Sequence, residues 1–158
     1  MSGKKIAIVT GASSGMGREM VYLLADHFAA LEEIWVIARR KDRLEELVGK
    51  VPVSLRILPF DLSDEEDLCM LSGLLKQEQP NVKILVNGAG YGKTGAAGTI
   101  PGSFSTGMVR LNDEALVAVT EMVLPYISGN SRIIQFASAA AFMPQPGFAV
   151  YAASSPLC

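Results

Sequence analysis

A glycine-rich turn is the first place in this sequence where residue types and spacing could carry chemistry. The stretch TGASSGMGREM follows the first apolar run and has glycines at positions 11, 15 and 17. Such glycines let the backbone approach a pyrophosphate, which can lie at the next helix N-terminus, where free N–H groups favour negative charge. Ser13 and Ser14 add hydroxyl donors. Glycines also form ordinary turns, so the position between a strand and an amphipathic helix is what favours a dinucleotide site.

A pair of arginines, Arg39 and Arg40, follows the second apolar run in WVIARRKDRLEEL. Dinucleotide sites often have an acidic residue about 20 residues after the glycines, or an arginine where a 2′-phosphate must fit. Here no carboxylate stands at the end of the strand. An arginine can bind phosphate through its planar fork of donors, whereas an aspartate would repel it. The pattern therefore favours NADP(H) over NAD(H), and two solvated loop arginines are the alternative.

A second phosphate-like motif, NGAGYGKT at residues 87–94, nearly matches a P-loop. Its first position is Asn87 instead of glycine, and the following GAAGTIPG does not favour the helix that a P-loop should open. A nucleoside triphosphatase is therefore disfavoured. We interpret the stretch as a glycine-rich turn at the carboxyl end of the fourth strand, beside the crevice where such sheets bind ligands.

The elements that must position these residues are five apolar runs that alternate with helical patterns. The runs, predicted as strands, are residues 6–10, 34–38, 55–60, 83–87 and 132–137. Their near-continuous hydrophobicity is typical of a parallel sheet buried on both faces. Apolar stripes predict helices with core-facing sides, one through Met16, Met20, Leu23, Leu24 and Phe28 and a long one from residue 104 to 122. The alternation predicts a Rossmann-like, doubly wound α/β domain over residues 1–158, with strand order 3-2-1-4-5.

Composition narrows the possible functions. The chain has 158 residues, of which 49% are hydrophobic and 19% charged, as in ordinary globular proteins. A net charge of -2 gives no reason to expect nucleic acid or an anionic membrane as partner. No apolar run approaches the roughly 18 residues of a membrane span, and the first strand begins too early for a signal peptide. Two cysteines without metal spacing favour a cytoplasmic location.

Taken together, the motifs resemble the classical short-chain dehydrogenase/reductase family from residue 4 to near residue 154. TGASSGMG is similar to its cofactor turn, threonine-glycine-x3-glycine-x-glycine, and FDLSD to its acidic motif, which implies that Asp61 contacts the adenine and Leu62 flanks it. NGAG is similar to Asn-Asn-Ala-Gly, except for Gly88. The cofactor contacts implied by the resemblance are Thr10, Gly11, Ser13, Ser14, Gly15, Met16, Gly17, Arg39, Arg40, Asp61, Leu62, Asn87, Ala89 and Gly90.

The resemblance also implies three catalytic residues. Asn112, Ser138 and Tyr151 fall where the family has its asparagine, serine and tyrosine. In the family the tyrosine is the acid or base, the serine positions the substrate oxygen and the asparagine holds a proton-relay water. This implies hydride transfer between the nicotinamide and a small carbonyl or alcohol substrate. Full-length relatives are expected to be homo-oligomers.

One position departs from the family in a way that bears on catalysis. Ser155 stands four residues after Tyr151, where the family has a lysine that binds the nicotinamide ribose and assists the tyrosine. An unassisted tyrosine side chain titrates near 10 in general, so a neighbouring cation is needed at neutral pH. We therefore expect impaired catalysis in this chain, and the alternative is a dinucleotide-binding module without hydride transfer.

The final residues, SSPLC, also differ from the family. Deleting one A from the lysine codon of an ancestral Ser-Lys-Ser-Ala-Val-Leu can yield Ser-Ser-Pro-Leu-Cys and a stop codon. A frameshift is thus the favoured explanation, and a natural short form or deliberate shortening are the alternatives. We expect a fold incomplete at the C-terminal end, with an open edge strand that promotes self-association. The substrate cannot be predicted, because its determinants in the family lie largely beyond this region.

Overall fold

The computed structural model describes residues 3–96, 98–143 and 145–155. A π-helical segment, Arg110–Glu114, joins the fourth and fifth helices. The strands and α-helices of the described residues are β1 Lys5–Thr10, α1 Gly15–His27, β2 Glu33–Ile37, α2 Lys41–Glu45, β3 Ser54–Leu58, α3 Glu65–Glu78, β4 Asn81–Asn87, α4 Gly102–Val109, α5 Ala115–Val123, β5 Ile127–Gln135 and α6 Ala149–Ala153.

The five strands form one parallel sheet in the order β3-β2-β1-β4-β5. This confirms the predicted Rossmann-like, doubly wound fold and its strand order. Hydrophobic side chains are buried on both faces of the sheet, with Ile8 and Leu85 on one side and Val9 and Val86 on the other. The strand order reverses between β1 and β4, and the crevice at their carboxyl ends is where sheets of this kind bind ligands.

The predicted strand boundaries differ most at β5. It begins at Ile127 and ends at Gln135, whereas residues 132–137 were expected. The register between β4 and β5 shifts after Val82, so residues 128–131 bulge out while Ile127 still pairs with the sheet. β5 is an edge strand, and Ile133 on it is 39% exposed.

The apolar stripe predicted for α1 was partly wrong. Met16, Leu23 and Phe28 were assigned to the core, but Met16 is 64% exposed, Leu23 49% and Phe28 38%. The buried residues of this helix are Gly17, Val21 and Leu24. Gly17 allows the helix to lie close to the turn after β1, since a Cβ there would overlap the carbonyl oxygen of Gly11.

The long helix expected from residue 104 to 122 is interrupted. The π-helical segment Arg110–Glu114 separates α4 from α5, and the N–H of Ala115 donates to the carbonyl oxygen of Arg110, five residues earlier. Such segments occur often at functional sites. Asn112 lies within it and is buried. None of the helices in the described ranges combines the length and apolar character needed to cross a membrane.

Candidate functional site

Two adjoining cavities lie at the carboxyl ends of the strands. The glycine-turn cavity, about 440 Å³, is bounded by the turn after β1 and by the residues that follow β2 and β3. The Tyr151 cavity, about 130 Å³, is bounded by the residues that follow β4 and β5 and by α6. Both cavities are lined by Met16, Gly88, Ala89, Gly90 and Tyr91. A single elongated ligand could therefore extend from one into the other.

The turn after β1 depends on glycine at two positions. Gly11 has a φ of +68°, and a Cβ there would overlap the carbonyl oxygen of Gly88. Gly17 packs directly behind Gly11. Ser14, the N-cap of α1, makes no side-chain capping hydrogen bond. The first N–H groups of α1 are therefore not capped by that side chain, and such groups favour an anion.

Arg40 is already positioned at this turn. Its Nη2 donates to the Oγ of Ser13 at 3.2 Å and to the Oγ of Ser14 at 3.0 Å. Arg39 extends to the other side of the cavity, where its Nη1 lies 3.9 Å from Oδ2 of Asp61. All five of these side chains and the backbone of Gly15 line the same cavity. Its rim thus combines two guanidinium groups with two hydroxyls, the donor set that a phosphate requires.

The opposite wall of the glycine-turn cavity is apolar and carries one carboxylate. Asp61 Oδ1 accepts hydrogen bonds from the Ser63 N–H at 3.0 Å and the Ser63 hydroxyl at 2.6 Å. Apolar walls beside an acceptor suit an aromatic base that bears an amino group. The apolar residues of this wall are Ile37, Ala38, Phe60, Leu62 and Leu111.

Thr10 holds the ends of two strands together. Its hydroxyl accepts from the N–H groups of Gly88 and Ala89, each at 3.0 Å, and donates to the carbonyl oxygen of Val86 at 3.4 Å. Thr10 is 2% exposed and lines neither of the two cavities. The structure therefore places this residue behind the cavity wall, where it fixes the turn after β4.

The side-chain amide of Asn112 forms hydrogen bonds that link the π-helical segment to the loop after β4 and to the end of α6. Its Oδ1 accepts from the N–H of Tyr91, and its Nδ2 donates to the carbonyl oxygen of Tyr91, both at 3.0 Å. Nδ2 also donates to the hydroxyl of Ser154 at 3.2 Å. The side-chain amide is thus engaged in positioning the loop after β4 and the end of α6.

The Tyr151 cavity contains the other expected catalytic residues. Ser138 and Tyr151 both line it, and the Ser138 hydroxyl accepts from the N–H of Ala140 at 3.2 Å. The Tyr151 ring lies against Gly92, where an added Cβ would be only 2.9 Å from the ring. Ser155 is 6% exposed and also lines the cavity. None of the described residues that form this wall carries a charged side chain.

Sixteen of the seventeen expected site residues line one or other of these cavities, Thr10 being the exception. Sequence reasoning missed Tyr91, Phe136 and Ser154, which also line the Tyr151 cavity. A Cβ added at Gly88, the position that departs from the family motif, would lie 2.9 Å from the carbonyl oxygen of Thr10 and 3.0 Å from the Phe136 ring. Phe136 therefore occupies space that a larger residue at position 88 would need.

Comparison with known proteins identifies the family. A family model described as short chain dehydrogenase matches residues 5–155. The chain belongs to this family. In this short-chain dehydrogenase the glycine turn lines one of the two adjoining cavities, and Ser138 and Tyr151 line the other.

Among curated short-chain dehydrogenase relatives is an uncharacterized oxidoreductase, YusZ, of Bacillus subtilis (strain 168). It is 30% identical over 158 residues, which cover 96% of this chain and 55% of that protein. The NADP-dependent 3-hydroxy acid dehydrogenase YdfG of Shigella flexneri is also 30% identical over 158 residues, covering 94% and 60% respectively. The chain thus spans a little over half the length of these relatives.

A solved structure of a short-chain dehydrogenase has a similar fold. A short-chain dehydrogenase from Sphingobium yanoikuyae in complex with NADPH superposes with a TM-score of 0.85 at 27% identity. The match covers 96% of this chain and 60% of that one. The described fold therefore corresponds to the larger part of a short-chain dehydrogenase.

Proposed function

We propose that this chain is the NADP(H)-binding part of a short-chain oxidoreductase that acts on a small carbonyl or alcohol. The observation that carries the proposal is the contact of Arg40 with Ser13 and Ser14 at the edge of the glycine-turn cavity. This arrangement offers a guanidinium and two hydroxyls to a phosphate at the place where an NAD(H)-specific site would have a carboxylate. The NADPH complex of one relative and the name of another support the same cofactor.

The residues of both cavities fit a dinucleotide. The uncapped start of α1 and the close-packed glycines would hold the pyrophosphate, and Arg40 with the two serines would hold the 2′-phosphate. The apolar wall around Asp61 would hold the adenine. The Tyr151 cavity would receive the nicotinamide end of the cofactor, whose chemistry when bound is to supply or accept a hydride.

The Tyr151 cavity offers the groups needed to handle the substrate oxygen. The Tyr151 hydroxyl would donate or accept the proton and the Ser138 hydroxyl would orient the oxygen, while Asn112 keeps the surrounding loops in place. Ser155 contributes no charge where the family has a lysine. We therefore propose that turnover by this chain is impaired. A cytoplasmic location remains part of the proposal and is supported by the cysteine pattern.

Isothermal titration of the chain with NADPH and NADH tests the cofactor assignment. We expect NADPH to bind at least about tenfold more tightly, since hydrogen bonds to a charged group contribute about 1.5–3 kcal/mol. Equal affinities, or tighter binding of NADH, would reject the assignment.

The second candidate function is a dinucleotide-binding module that acts by occupancy, without hydride transfer. The absence of a charged side chain from the described lining of the Tyr151 cavity favours this candidate. Tight NADPH binding with no oxidation of NADPH across a panel of aldehydes and ketones would support it. Turnover that depends on Tyr151 would instead support the enzyme.

A further inference from the structure

The segments that border the Tyr151 cavity carry a single charged side chain, that of Lys93. Residues 84–109, which include the loop after β4 and the helix α4, contain no Asp, Glu, Lys, Arg or His apart from this lysine. Residues 133–155, which include the end of β5, the loop after it and α6, contain none. These segments therefore have a net positive charge with no acidic side chain among them, and such a surface attracts anions.

The loop that carries Lys93 is held beside the tyrosine. Gly92 lies against the Tyr151 ring, since an added Cβ would be 2.9 Å from it. The Cα of Lys93 is about 3.8 Å from that of Gly92, because a trans peptide joins the two residues. Two residues further on, the Gly95 N–H donates to the carbonyl oxygen of Gly147 at 2.9 Å. The loop is thus attached to the segment that leads into α6, which fixes its position relative to Tyr151.

The side chain of Lys93 can move, although its backbone is held. Its N–H donates to Sδ of Met108, a buried residue of α4, at 3.4 Å. The residue is exposed, and its Nζ lies 5.5 Å from the centre of the Phe104 ring. Within the part of the chain that the structure describes, this ammonium forms no ion pair. Cation–π contacts at exposed sites are weak, so the ammonium can leave Phe104 at little cost.

We propose that Lys93 binds an anionic group of the substrate and that the site acts on carbonyl compounds that carry a carboxylate. The inference rests on the proposed function and names the substrate class of the same site. The Tyr151 hydroxyl meets the carbonyl oxygen, while the Lys93 ammonium moves from Phe104 to the carboxylate at the edge of the cavity. Charge-assisted hydrogen bonds of an ammonium are stronger than those between neutral groups. A neutral substrate gains no such bond, so Lys93 discriminates between substrates by charge.

Two aldehydes that differ in charge test the assignment. 4-Formylbenzoate carries a carboxylate, and 4-formylbenzamide has a neutral amide of nearly the same shape in its place. Each is titrated into the chain saturated with NADP⁺, which cannot reduce an aldehyde, and ligand-observed NMR measures the affinity. We expect the wild-type chain to bind the benzoate about three- to tenfold more tightly than the benzamide, between the effects of an exposed ion pair and of a hydrogen bond to a charged group.

Lys93→Met should remove this preference by weakening the binding of 4-formylbenzoate while leaving that of 4-formylbenzamide unchanged. Lys93→Arg retains a cation and should retain the preference. Lys76→Met is the matched control, because Lys76 is an exposed lysine in the last turn of α3 and lines neither cavity. It removes the same charge from the chain and should leave both affinities unchanged.

The substrate class and the proposed function are tested by separate measurements. Failure of the wild-type chain to bind NADP⁺ in a calorimetric titration rejects the proposed function, and the substrate class with it. With NADP⁺ bound, equal affinity for the two aldehydes, or no binding of 4-formylbenzoate, overturns the assignment of Lys93 alone. A preference that persists in K93M also overturns it. So does an equal loss of both aldehydes in K93M, since an effect of the lysine on Tyr151 or on folding does not depend on the charge of the substrate.

Discussion

The hydroxyl of Ser155 donates a hydrogen bond of 2.7 Å to the backbone carbonyl oxygen of Tyr151, one helical turn earlier. Ser155 is thus folded back on the segment that carries the tyrosine, and it lines the Tyr151 cavity without bringing a charge to it. The resemblance to the short-chain dehydrogenase family implies a lysine at this position. We therefore expect the chemistry of the Tyr151 cavity to respond to a positive charge introduced at position 155.

Ser155→Lys should increase NADPH-dependent reduction of a responsive aldehyde or ketone by about tenfold or more. The new ammonium would restore a cation next to Tyr151, and acid–base assistance contributes about 10² to 10⁴ in rate. Ser155→Met is the matched control, because it adds a side chain of similar length without charge. Steady-state assays at 340 nm measure the effect, and Tyr151→Phe in the S155K background should abolish it. An equal gain in S155M would contradict the role of the charge.

Arg40→Ala should weaken NADPH binding by about tenfold or more while leaving NADH binding nearly unchanged, because only NADPH has the phosphate that the arginine would contact. Lys41→Ala removes a neighbouring charge that pairs with Glu45 and should affect neither cofactor. Titration calorimetry at two salt concentrations measures the affinity of each variant for NADPH and for NADH. If NADH binding fell as much as NADPH binding, Arg40 would be holding the turn together rather than reading the phosphate.

Gly17→Ala should strongly destabilise the chain or prevent its folding. The added Cβ would overlap the carbonyl oxygen of Gly11, which belongs to the backbone and cannot rotate away. Gly73→Ala is the control, since nothing lies within 4 Å of its Cβ position in the helix α3. That change should stabilise the chain by about 0.5–1 kcal/mol, because alanine restricts the unfolded chain. Thermal melting followed by circular dichroism distinguishes the two.

Asn112→Ala should lower the free energy of unfolding by about 1–3 kcal/mol, because it leaves part-buried backbone groups of Tyr91 without their Asn112 partners. Ser154→Ala removes only one of the three hydrogen bonds of this amide and should cost less. Urea denaturation measures both variants. Equal effects of the two substitutions would mean that the contacts with Tyr91 contribute little.

Asp113→Asn should raise the melting temperature at pH 7 but have little effect near pH 3. Burial, and then the charge of Glu114, raise the pKa of Asp113 above its usual value of 3.8. The folded state therefore holds this proton more tightly than the unfolded state, so stability is lost as the pH rises from near 3.8 through the raised pKa. Asparagine mimics the protonated form and avoids that loss. Melting curves from pH 3 to 8 test the sign; a variant less stable than wild type at pH 7 would contradict it.

Local sequence patterns were sufficient for the order of the strands and for the glycine turn, and only in part for the helices. Apolar runs of β-branched residues form strands because both faces of this sheet are covered, and their order along the chain constrains the topology. The glycines at 11 and 17 were recognisable because only glycine fits those positions. The π-helical interruption and the β5 bulge were not predictable in this way, since both depend on how distant segments pack.

Three of the side-chain partnerships at the site were decided by the tertiary structure. Thr10 meets Gly88 across 78 positions, Arg40 meets Ser13 across 27, and Asn112 meets Tyr91 across 21. The sequence determined that these residue types were present and in which order along the chain. It could not determine that the Thr10 hydroxyl would accept hydrogen bonds from the backbone N–H groups of Gly88 and Ala89. Such contacts are specified by the three-dimensional approach of strand ends, which no local pattern encodes.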